Sequence, residues 1–524
     1  MSTLLDRPLP RAEAGPAASR RWLRLPAGAW ICADLLLVVL TVQGWNIARY
    51  PTVSDDEGTY LAQAWALQHG LGLAPYTYWY DHPPFAWMQI AVMSWLPGLV
   101  FHGGLVVARA RLIMLPVTVA SSVLLYLLAR RLALPRWSAA LAVALFALSP
   151  LSVTLQREIF LDNFAVAWML AAFVLTLSPR QHLWHHVAAG ACAALAILSK
   201  ETMAIVLPAL LPALWQGSHR STRKFSLVGF ATALVLVGVQ YPLYALLKGE
   251  LLPGPGHVSL VGGLLYQMQR AGSGSMFTPG TGSYSILHAW LYYDPVLIIG
   301  GAAATVCALA DRRLRAPALA AALLSLVAMR PTGYMPAMYV IQALPFFALV
   351  LAGLAARVVA LAISFRAGGG RTQRLGRRIA VAAAAAAAAG YLVPLWYGGD
   401  HLAVTADPNA DYAAAASWIR AHVADPRQAR IVVDDALWPD MVRDGFRPGL
   451  GAIWFYKVDL DPAVKRTLPD GWGDLSYIVS SPTIRQDTSN LPTVRAALAH
   501  SRVLAVFGAG SDRIEVRQII KGES

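Results

Sequence analysis

The chain has 524 residues, of which 57% are hydrophobic and 14% charged, and its formal net charge at pH 7 is +14. Soluble domains average about 25% charged residues, so this composition excludes an ordinary soluble protein. It indicates a mostly α-helical, polytopic membrane protein. The net charge does not indicate nucleic-acid binding, because the arginines fall in short clusters between apolar runs, as membrane topology requires.

The amino-terminal segment 1–27 is basic and rich in Pro and Ala, and it predicts a cytoplasmic tail that precedes an uncleaved first membrane helix. The apolar runs that follow are 28–46, 85–100, 111–129, 137–155, 161–178, 187–199, 202–216, 226–247, 288–310, 316–329, 337–360 and 379–397.

Basic clusters separate these runs and fix the predicted topology. They are Arg20/Arg21/Arg24, Arg130/Arg131/Arg136, Arg180 with three histidines, His219/Arg220/Arg223/Lys224, Arg312/Arg313/Arg315 and Arg371/Arg374/Arg377/Arg378. All of them are cytoplasmic under the positive-inside rule if the short, Trp-containing run 85–100 lies in the membrane interface. We therefore predict about eleven transmembrane helices within 28–397, although 187–199 or 202–216 could be re-entrant. The amino terminus is then inside a plasma (inner) membrane and the carboxyl terminus outside.

Residues 398–524 differ in composition from the membrane part. An amphipathic helix at 407–425 and short strand patterns at 429–434, 477–480, 503–507 and 514–519 predict a small extracytoplasmic α/β domain. The pair Gly508 and Gly510 is weak evidence for nucleotide binding, because the phosphate-binding fingerprint also needs a third glycine and a following helix.

Five ionisable residues lie in the first predicted outer loop, 47–108. Asp55, Asp56 and Glu57 follow the first apolar run, and Asp81 and His82 precede two prolines. A carboxylate at the water-exposed rim of a membrane cavity can act as a general base towards a hydroxyl, or bind a divalent cation with a second acid. Capping of the helix that starts at Glu57 explains one acid well but three in a row poorly.

The two prolines after His82 fix the backbone and end any preceding helix, so the histidine lies on a rigid turn. A histidine there can donate to an anionic oxygen, relay a proton or bind a metal. A solvated turn histidine is the simpler alternative.

Three cations are expected at the outer face, where the positive-inside rule does not explain them: Arg157, Lys200 and Arg330. Together with Asp162 and Tyr334 they fit a phosphorylated headgroup, because Arg and Lys bind phosphate strongly. Salt bridges within the protein would give a similar set of residues.

The loop 248–287 is long and rich in Gly and Ser, which is typical of a lid over a cavity. It contributes His257 as a candidate metal ligand. With Glu57, Asp81 and His82 it forms the set of candidates for a divalent cation, which is the only cofactor that the sequence raises.

The order of these motifs resembles the C-type membrane glycosyltransferases. The resemblance rests on Asp56-Glu57-x-x-Tyr60, Asp81-His82-Pro83-Pro84, Arg111-Leu112, Arg157 with Asp162, and Ser199-Lys200, and it covers roughly residues 28–360. The most similar branches are the polyprenyl-phosphate-mannose protein O-mannosyltransferases and the aminoarabinose transferases that modify lipid A. The latter carry a lysine before the two prolines, where this chain has His82, which favours the mannosyltransferase-like branch.

The resemblance implies a polyprenyl-phosphate-linked sugar as donor and a glycan, lipid or protein hydroxyl as acceptor. Asp56 would be the catalytic base, with Glu57 as the second catalytic residue, and Glu57 and Asp81 would support the acceptor or a cation. Tyr60 would contact the substrate. Arg157, Lys200 and Arg330 would bind the lipid phosphate. A one-step displacement inverts the anomeric centre, whereas a two-step retaining route requires a carboxylate nucleophile.

Two other classes of protein share this composition. A transporter or lipid flippase is also polytopic, but its ionisable residues usually lie near the midplane and in repeated halves. A scaffold subunit that binds through the carboxyl-terminal domain leaves the acidic loop unexplained.

Overall fold

The computed structural model describes residues 27–73, 76–77, 79–364 and 371–520. The predicted cytoplasmic tail therefore lies outside the described residues. Within them the chain is mostly helical and carries one small mixed sheet.

The helices up to residue 405 form the membrane part and the loops between its spans. In chain order they are α1 (Ala27–Gly44), α2 (Asp55–Gln68), α3 (Phe85–Met93), α4 (Val106–Ala110), α5 (Met114–Arg131), α6 (Arg136–Ala147), α7 (Pro150–Arg157), α8 (Leu161–Thr176), α9 (Leu183–Ser199), α10 (Leu207–Gly217), α11 (Arg223–Gly238), α12 (Gln240–Leu247), α13 (Leu260–Gln269), α14 (Gly282–Tyr293), α15 (Gly301–Ala308), α16 (Arg315–Ala328), α17 (Leu344–Ser364) and α18 (Arg371–Thr405).

Three continuous helical segments among the described residues are long and apolar enough to cross a membrane: Val106–Arg131, Arg223–Leu247 and Ala337–Ala362. Two bent pairs raise this number to five, Arg136–Ala147 with Pro150–Arg157 and Gly282–Tyr293 with Val296–Ala308. Five further helices are apolar but shorter. The predicted helical membrane architecture is confirmed in this coarse form, and the count of eleven spans stays a prediction.

Small residues let the apolar helices pack closely. A Cβ added to Gly190 of α9 would lie 2.1 Å from the carbonyl oxygen of Phe230 in α11, so only glycine permits this crossing. Such close approaches are typical of membrane helices, where packing and not water exclusion drives association. The resulting helical core supports the outer loops that carry the charged residues.

The helix α3 and the turn Leu96–Leu99 that follows it occupy the segment predicted to lie in the interface. Val92 and Leu99 are 73% and 67% exposed. Such a row of exposed apolar side chains is the pattern expected of a helix that rests on lipid.

The sheet lies in the carboxyl-terminal part and has the order β2-β1-β3-β5-β4. Its strands are β1 (Ile431–Val433), β2 (Ala452–Trp454), β3 (Tyr477–Ser480), β4 (Ser501–Phe507) and β5 (Ile514–Ile519). The strands β1, β2 and β3 are parallel, and β5 runs antiparallel to β3 and β4. Six helices accompany them: α19 (Ala410–His422), α20 (Trp438–Arg443), α21 (Phe455–Leu460), α22 (Pro462–Arg466), α23 (Pro482–Gln486) and α24 (Pro492–Ala499).

The carboxyl-terminal part rests directly on the first outer loop. A Cβ on Gly58 of α2 would lie 2.0 Å from the carbonyl oxygen of Asp435, so glycine allows the two backbones to touch. Asn409 accepts a hydrogen bond from Val53 N at 2.8 Å and donates to the carbonyls of Arg49 and Pro51 at 2.6 and 2.8 Å. The start of α2 is thereby held between the membrane helices and the sheet.

Candidate active site

The first turn of α2 presents three carboxylates in three different directions. Because successive helical residues are about 100° apart, Asp55, Asp56 and Glu57 cannot share one contact. Each carboxylate has its own environment, and these environments favour a supporting role for some of the three residues and a reactive role for another.

Glu57 is fully buried and forms a two-pronged ion pair with Arg111, with Nε–Oε1 and Nη2–Oε2 distances of 2.8 and 2.6 Å. Its carboxylate also accepts hydrogen bonds from Ile159 N at 3.1 Å and from Ser54 N at 3.2 Å. Arg111 in turn donates to the carbonyls of Pro51 and Thr52. With its oxygens so occupied, Glu57 is placed to hold the loop and not to contact a substrate, which favours a positioning role over the predicted catalytic one.

Asp56 is exposed, and among the described residues its side chain makes no hydrogen bond or ion pair. It lies within electrostatic reach of Lys200 and Tyr60. A free carboxylate beside a buried cation is the arrangement that a general base requires.

Asp55 faces the carboxyl-terminal part. It is partly buried, and burial together with the neighbouring carboxylates of Asp434 and Asp435 raises its pKa well above the ordinary value. Asp435 accepts hydrogen bonds from Thr59 of α2 and from Tyr456. Asp55, together with Asp435, is therefore part of the contact between α2 and the sheet.

Lys200, His82 and Glu201 form a connected polar chain beside Asp56. Lys200 Nζ lies 2.9 Å from His82 Nε2, and His82 Nδ1 lies 3.1 Å from the Glu201 carboxylate. Burial and Lys200 lower the pKa of His82, but Glu201 and Asp81 raise it more, so that it lies above the ordinary value. The structure therefore brings together two of the predicted phosphate and sugar contacts.

Asp81, Asp162 and Tyr60 complete this group. Asp81 accepts a hydrogen bond from His82 N at 2.9 Å, and burial raises its pKa although His82 and Lys200 oppose the shift. Asp162 accepts a hydrogen bond from Gln342 at 2.6 Å and faces Lys200. The buried Tyr60 ring lies 6.2 Å from the His82 ring.

Arg157 does not belong to this group, and the predicted phosphate contact is not supported. Its guanidinium is buried and donates to the carbonyls of Ala403 at 2.9 Å and Val42 at 2.6 Å. These contacts tie the end of α7 to the ends of α1 and α18. The free-energy cost of burying the Arg157 guanidinium is thus offset by hydrogen bonds to backbone oxygens of the protein itself.

The loop 248–287 packs against the turn at Asp81, and its function as a lid stays a prediction. Its helix α13 places Gly263 against the backbone of Tyr80, and Gln267 donates to the carbonyl of Asp81 at 3.4 Å. Arg270, next to Gln267, stacks on the Tyr334 ring at 3.6 Å. Arg330 and Tyr334 are exposed.

The four candidate metal ligands do not converge. Glu57 is sealed in its pair with Arg111, and His257 is exposed with its Nδ1 against the carbonyl of Val258. Within residues 27–73, 76–77, 79–364 and 371–520, no group of three or more His, Cys, Asp or Glu side chains could bind a metal. Only Asp81 and His82 of the predicted set lie together.

The sequence analysis assigned no role to two neighbours of the candidate site, Gln342 and Arg111. Gln342 contacts both Asp162 and Thr202, and it follows a proline-rich outer segment that gave no charge signal. Arg111 lies at the outer end of a membrane run, where the positive-inside rule does not explain it. That same signal identified Lys200, and it could have identified the partner of Glu57.

Comparison with known proteins defines the class of protein. Residues 81–242 match the family described as dolichyl-phosphate-mannose-protein mannosyltransferase. No curated protein matches the chain significantly.

Among solved structures, the chain is similar to ArnT from Cupriavidus metallidurans in the apo state, with a TM-score of 0.58, 16% identity and coverage of 94% of this chain and 98% of that one. The Archaeoglobus fulgidus oligosaccharyltransferase in the apo form has a TM-score of 0.55 and 13% identity, and covers 91% of this chain and 72% of that one. At these identities the likeness concerns the fold.

The fold is therefore similar to that of known polytopic membrane glycosyltransferases. The family match over residues 81–242 agrees with the resemblance that the motifs predicted, and the related proteins support a multi-pass membrane location.

Proposed function

We propose that this chain transfers a sugar from a polyprenyl-phosphate donor to a hydroxyl acceptor at the outer membrane surface. The observation that carries the proposal is the free, exposed carboxylate of Asp56 facing the buried Lys200–His82 pair. The fold adds support, because similar structures are ArnT bound to undecaprenyl phosphate and an archaeal oligosaccharyltransferase in complex with dolichol-phosphate.

The chemistry follows from this arrangement. Asp56 accepts the proton of the acceptor hydroxyl while its oxygen forms a bond to the anomeric carbon of the sugar. The bond between that carbon and the phosphate oxygen breaks, and the electron pair leaves with the lipid phosphate. Lys200, with His82 beside it, stabilises the growing negative charge because it is already in place before reaction.

The stereochemical outcome is inversion in this proposal. A single displacement at the anomeric carbon needs one base and one leaving-group stabiliser, which Asp56 and Lys200 supply. A retaining route would need a second reactive carboxylate at the same carbon. The carboxylate of Glu57 is bound by Arg111 and is not free for this role.

The covering loop supplies two further contacts in the proposed complex. Arg270 lies beside Gln267, which contacts the carbonyl of Asp81, and it stacks on Tyr334 in the same segment as the exposed Arg330. Arg270 is held over Tyr334 and is therefore ordered without an acidic partner among the described residues. We assign these arginines to donor entry, on the outer side of the membrane.

The decisive test follows release of polyprenyl phosphate from a panel of polyprenyl-phosphate sugars by the purified protein in nanodiscs. Asp56→Asn is expected to lower turnover about 100- to 10,000-fold, the usual contribution of a general base. Asp407→Asn, which changes an exposed carboxylate at the outer end of α18, is the matched control and keeps activity.

The same assay addresses the leaving phosphate. Lys200→Met is expected to lower turnover and donor affinity together, because it removes the buried cation. Full turnover in Asp56→Asn would overturn the assignment of the base. A folded wild-type protein that releases no phosphate from any donor, but moves lipid across the bilayer, would favour the transporter class.

A further inference from the structure

A cavity of about 760 Å³ lies on another face of α2 from the Asp56–Lys200 site. Asp56 and Tyr60 point to that site, whereas Leu61, Trp65 and Gln68 of the same helix line the cavity. Its volume falls within the usual range for small-molecule sites, about 300–1,000 Å³. Because the cavity lies away from the donor site, it calls for a ligand of its own.

The walls come from two parts of the chain. The floor is apolar and aromatic, with Trp65 packed edge-on against Trp438 at 5.7 Å between ring centroids. Another wall is the end of the interfacial helix, including Trp95 and Gly98. The exposed apolar row of that helix is continuous with the cavity, so the cavity borders the surface that faces lipid.

The charged residues that line the cavity are all positive. Four arginines line it, Arg109, Arg427, Arg443 and Arg447, and no Asp or Glu is among the lining residues. Arg443 is paired with Asp440 and Asp444 behind the wall. The other three make no side-chain hydrogen bond or ion pair within the part of the chain that the structure describes. Such arginines attract phosphate strongly because their planar forks match its oxygens.

We propose that this cavity binds the phosphate group of a membrane-borne amphipath, with the phosphate against the arginines and the acyl or prenyl chain along the Trp65–Trp438 floor. The occupant is a phospholipid-like molecule and not free phosphate, because the aromatic floor and the lipid-facing rim would otherwise remain uncovered. The inference goes beyond the proposed sugar transfer and does not depend on it.

Gly98 offers a clean way to close the cavity. A Cβ at Gly98 meets no atom within 4 Å, so a large side chain there enters open space without disturbing the wall. Gly103 is matched to it, because its Cβ also meets nothing within 4 Å, yet Gly103 is not among the residues that line the cavity. Gly98→Trp and Gly103→Trp therefore separate closure of the cavity from the general effect of an added tryptophan.

The experiment is calorimetric titration of the purified full chain in neutral detergent with dioctanoyl phosphatidic acid, dioctanoylglycerol or inorganic phosphate. Phosphatidic acid is expected to bind at least about tenfold more tightly than dioctanoylglycerol, because each charged hydrogen bond contributes about ten- to a hundredfold. It is expected to exceed inorganic phosphate by at least about tenfold as well, because its acyl chains bury apolar surface on the aromatic floor. The double variant Arg427→Ala/Arg447→Ala, which changes exposed side chains only, is expected to weaken binding about tenfold or more.

Gly98→Trp should abolish binding, whereas Gly103→Trp and Lys200→Met should retain it. Equal affinity for inorganic phosphate would overturn the lipid assignment. Binding that survives Gly98→Trp but is lost in Lys200→Met would place the lipid at the donor site and overturn the proposal. Absence of binding to folded wild-type protein would overturn it as well.

Discussion

Two neighbouring carboxylates in the first turn of α2 have opposite environments. Asp56 is exposed and free, whereas Glu57 is buried with its oxygens bound to Arg111 and to two backbone amides. A buried ion pair contributes little net stability, because desolvation offsets the attraction, but breaking it leaves an uncompensated charge. Chemistry and positioning can therefore be separated by single substitutions at adjacent positions.

Glu57→Gln is expected to destabilise the protein by about 3–5 kcal/mol, because it leaves the charge of Arg111 buried without a counter-charge. Thermal unfolding of the detergent-solubilised protein measures this effect. Asp56→Asn is the matched control and should change stability by less than about 0.5 kcal/mol. Equal stability of the two variants would contradict the positioning role of Glu57.

The sequence could single out candidate site residues, but not which of them contact each other. Asp56, His82 and Lys200 could be identified from the sequence, because they are ionisable groups at unusual positions. The partners of Arg157 are backbone carbonyls of distant segments, and no residue pattern encodes such contacts. That is why a buried arginine at the outer face looked like a phosphate ligand.

At the scale of elements, the contact between α2 and the loop after β1 depends on one glycine. The carbonyl of Asp435 occupies the space where any other residue at position 58 would carry its Cβ. Neither backbone can move easily, because α2 is anchored through Glu57 and β1 lies within the sheet. This close approach fixes the distance between the proposed base and the carboxyl-terminal part.

Gly58→Ala is therefore expected to destabilise the protein by about 1–3 kcal/mol, as overpacking usually does. Gly238→Ala is the matched control, since its Cβ enters open space at the end of α11 and should stabilise the helix by about 0.5–1 kcal/mol. Thermal unfolding of both variants should show shifts of opposite sign. A neutral Gly58→Ala would mean that the contact is looser than the structure shows.

Most strands could be predicted from alternating or continuous apolar patterns: β1, β3 and β5 lie at or within the predicted segments, and β4 begins two residues before its predicted segment 503–507. The strand β2 was missed because its three residues, Ala452–Trp454, are too short to show a period. The sheet order was not predictable, because pairing between distant strands leaves no local signal.

At the scale of the whole molecule, buried acids join the carboxyl-terminal part to α2. Burial raises the pKa of Asp435 to about 7, and the pKa values of Asp55 and Asp434 are also raised. Between the ordinary value of 3.8 and 7, the folded protein holds more protons on Asp435 than the unfolded chain does. Stability from this site is therefore present at low pH and is lost as pH rises through that window.

Asp435→Asn is expected to remove this pH-dependent loss of stability. Between pH 5 and pH 7.5, the free energy of unfolding of wild type should fall by about 2–4 kcal/mol more than that of the variant. Thermal unfolding at the two pH values measures it, and Asp407→Asn serves as the exposed control. An Asp435→Asn protein with the same pH dependence as wild type would show that Asp435 is not the group responsible.

Asn409 lies beyond the last membrane helix, yet its side chain forms hydrogen bonds with the backbone that leads into α2. During synthesis, the segment that carries Asp56 is made more than 350 residues before these hydrogen bonds can form. The membrane helices can insert in order, but the start of α2 acquires its final geometry only when the carboxyl-terminal part has been synthesised and folded onto it. In the proposed function, Asp56 therefore reaches its working position only at the end of synthesis of the chain.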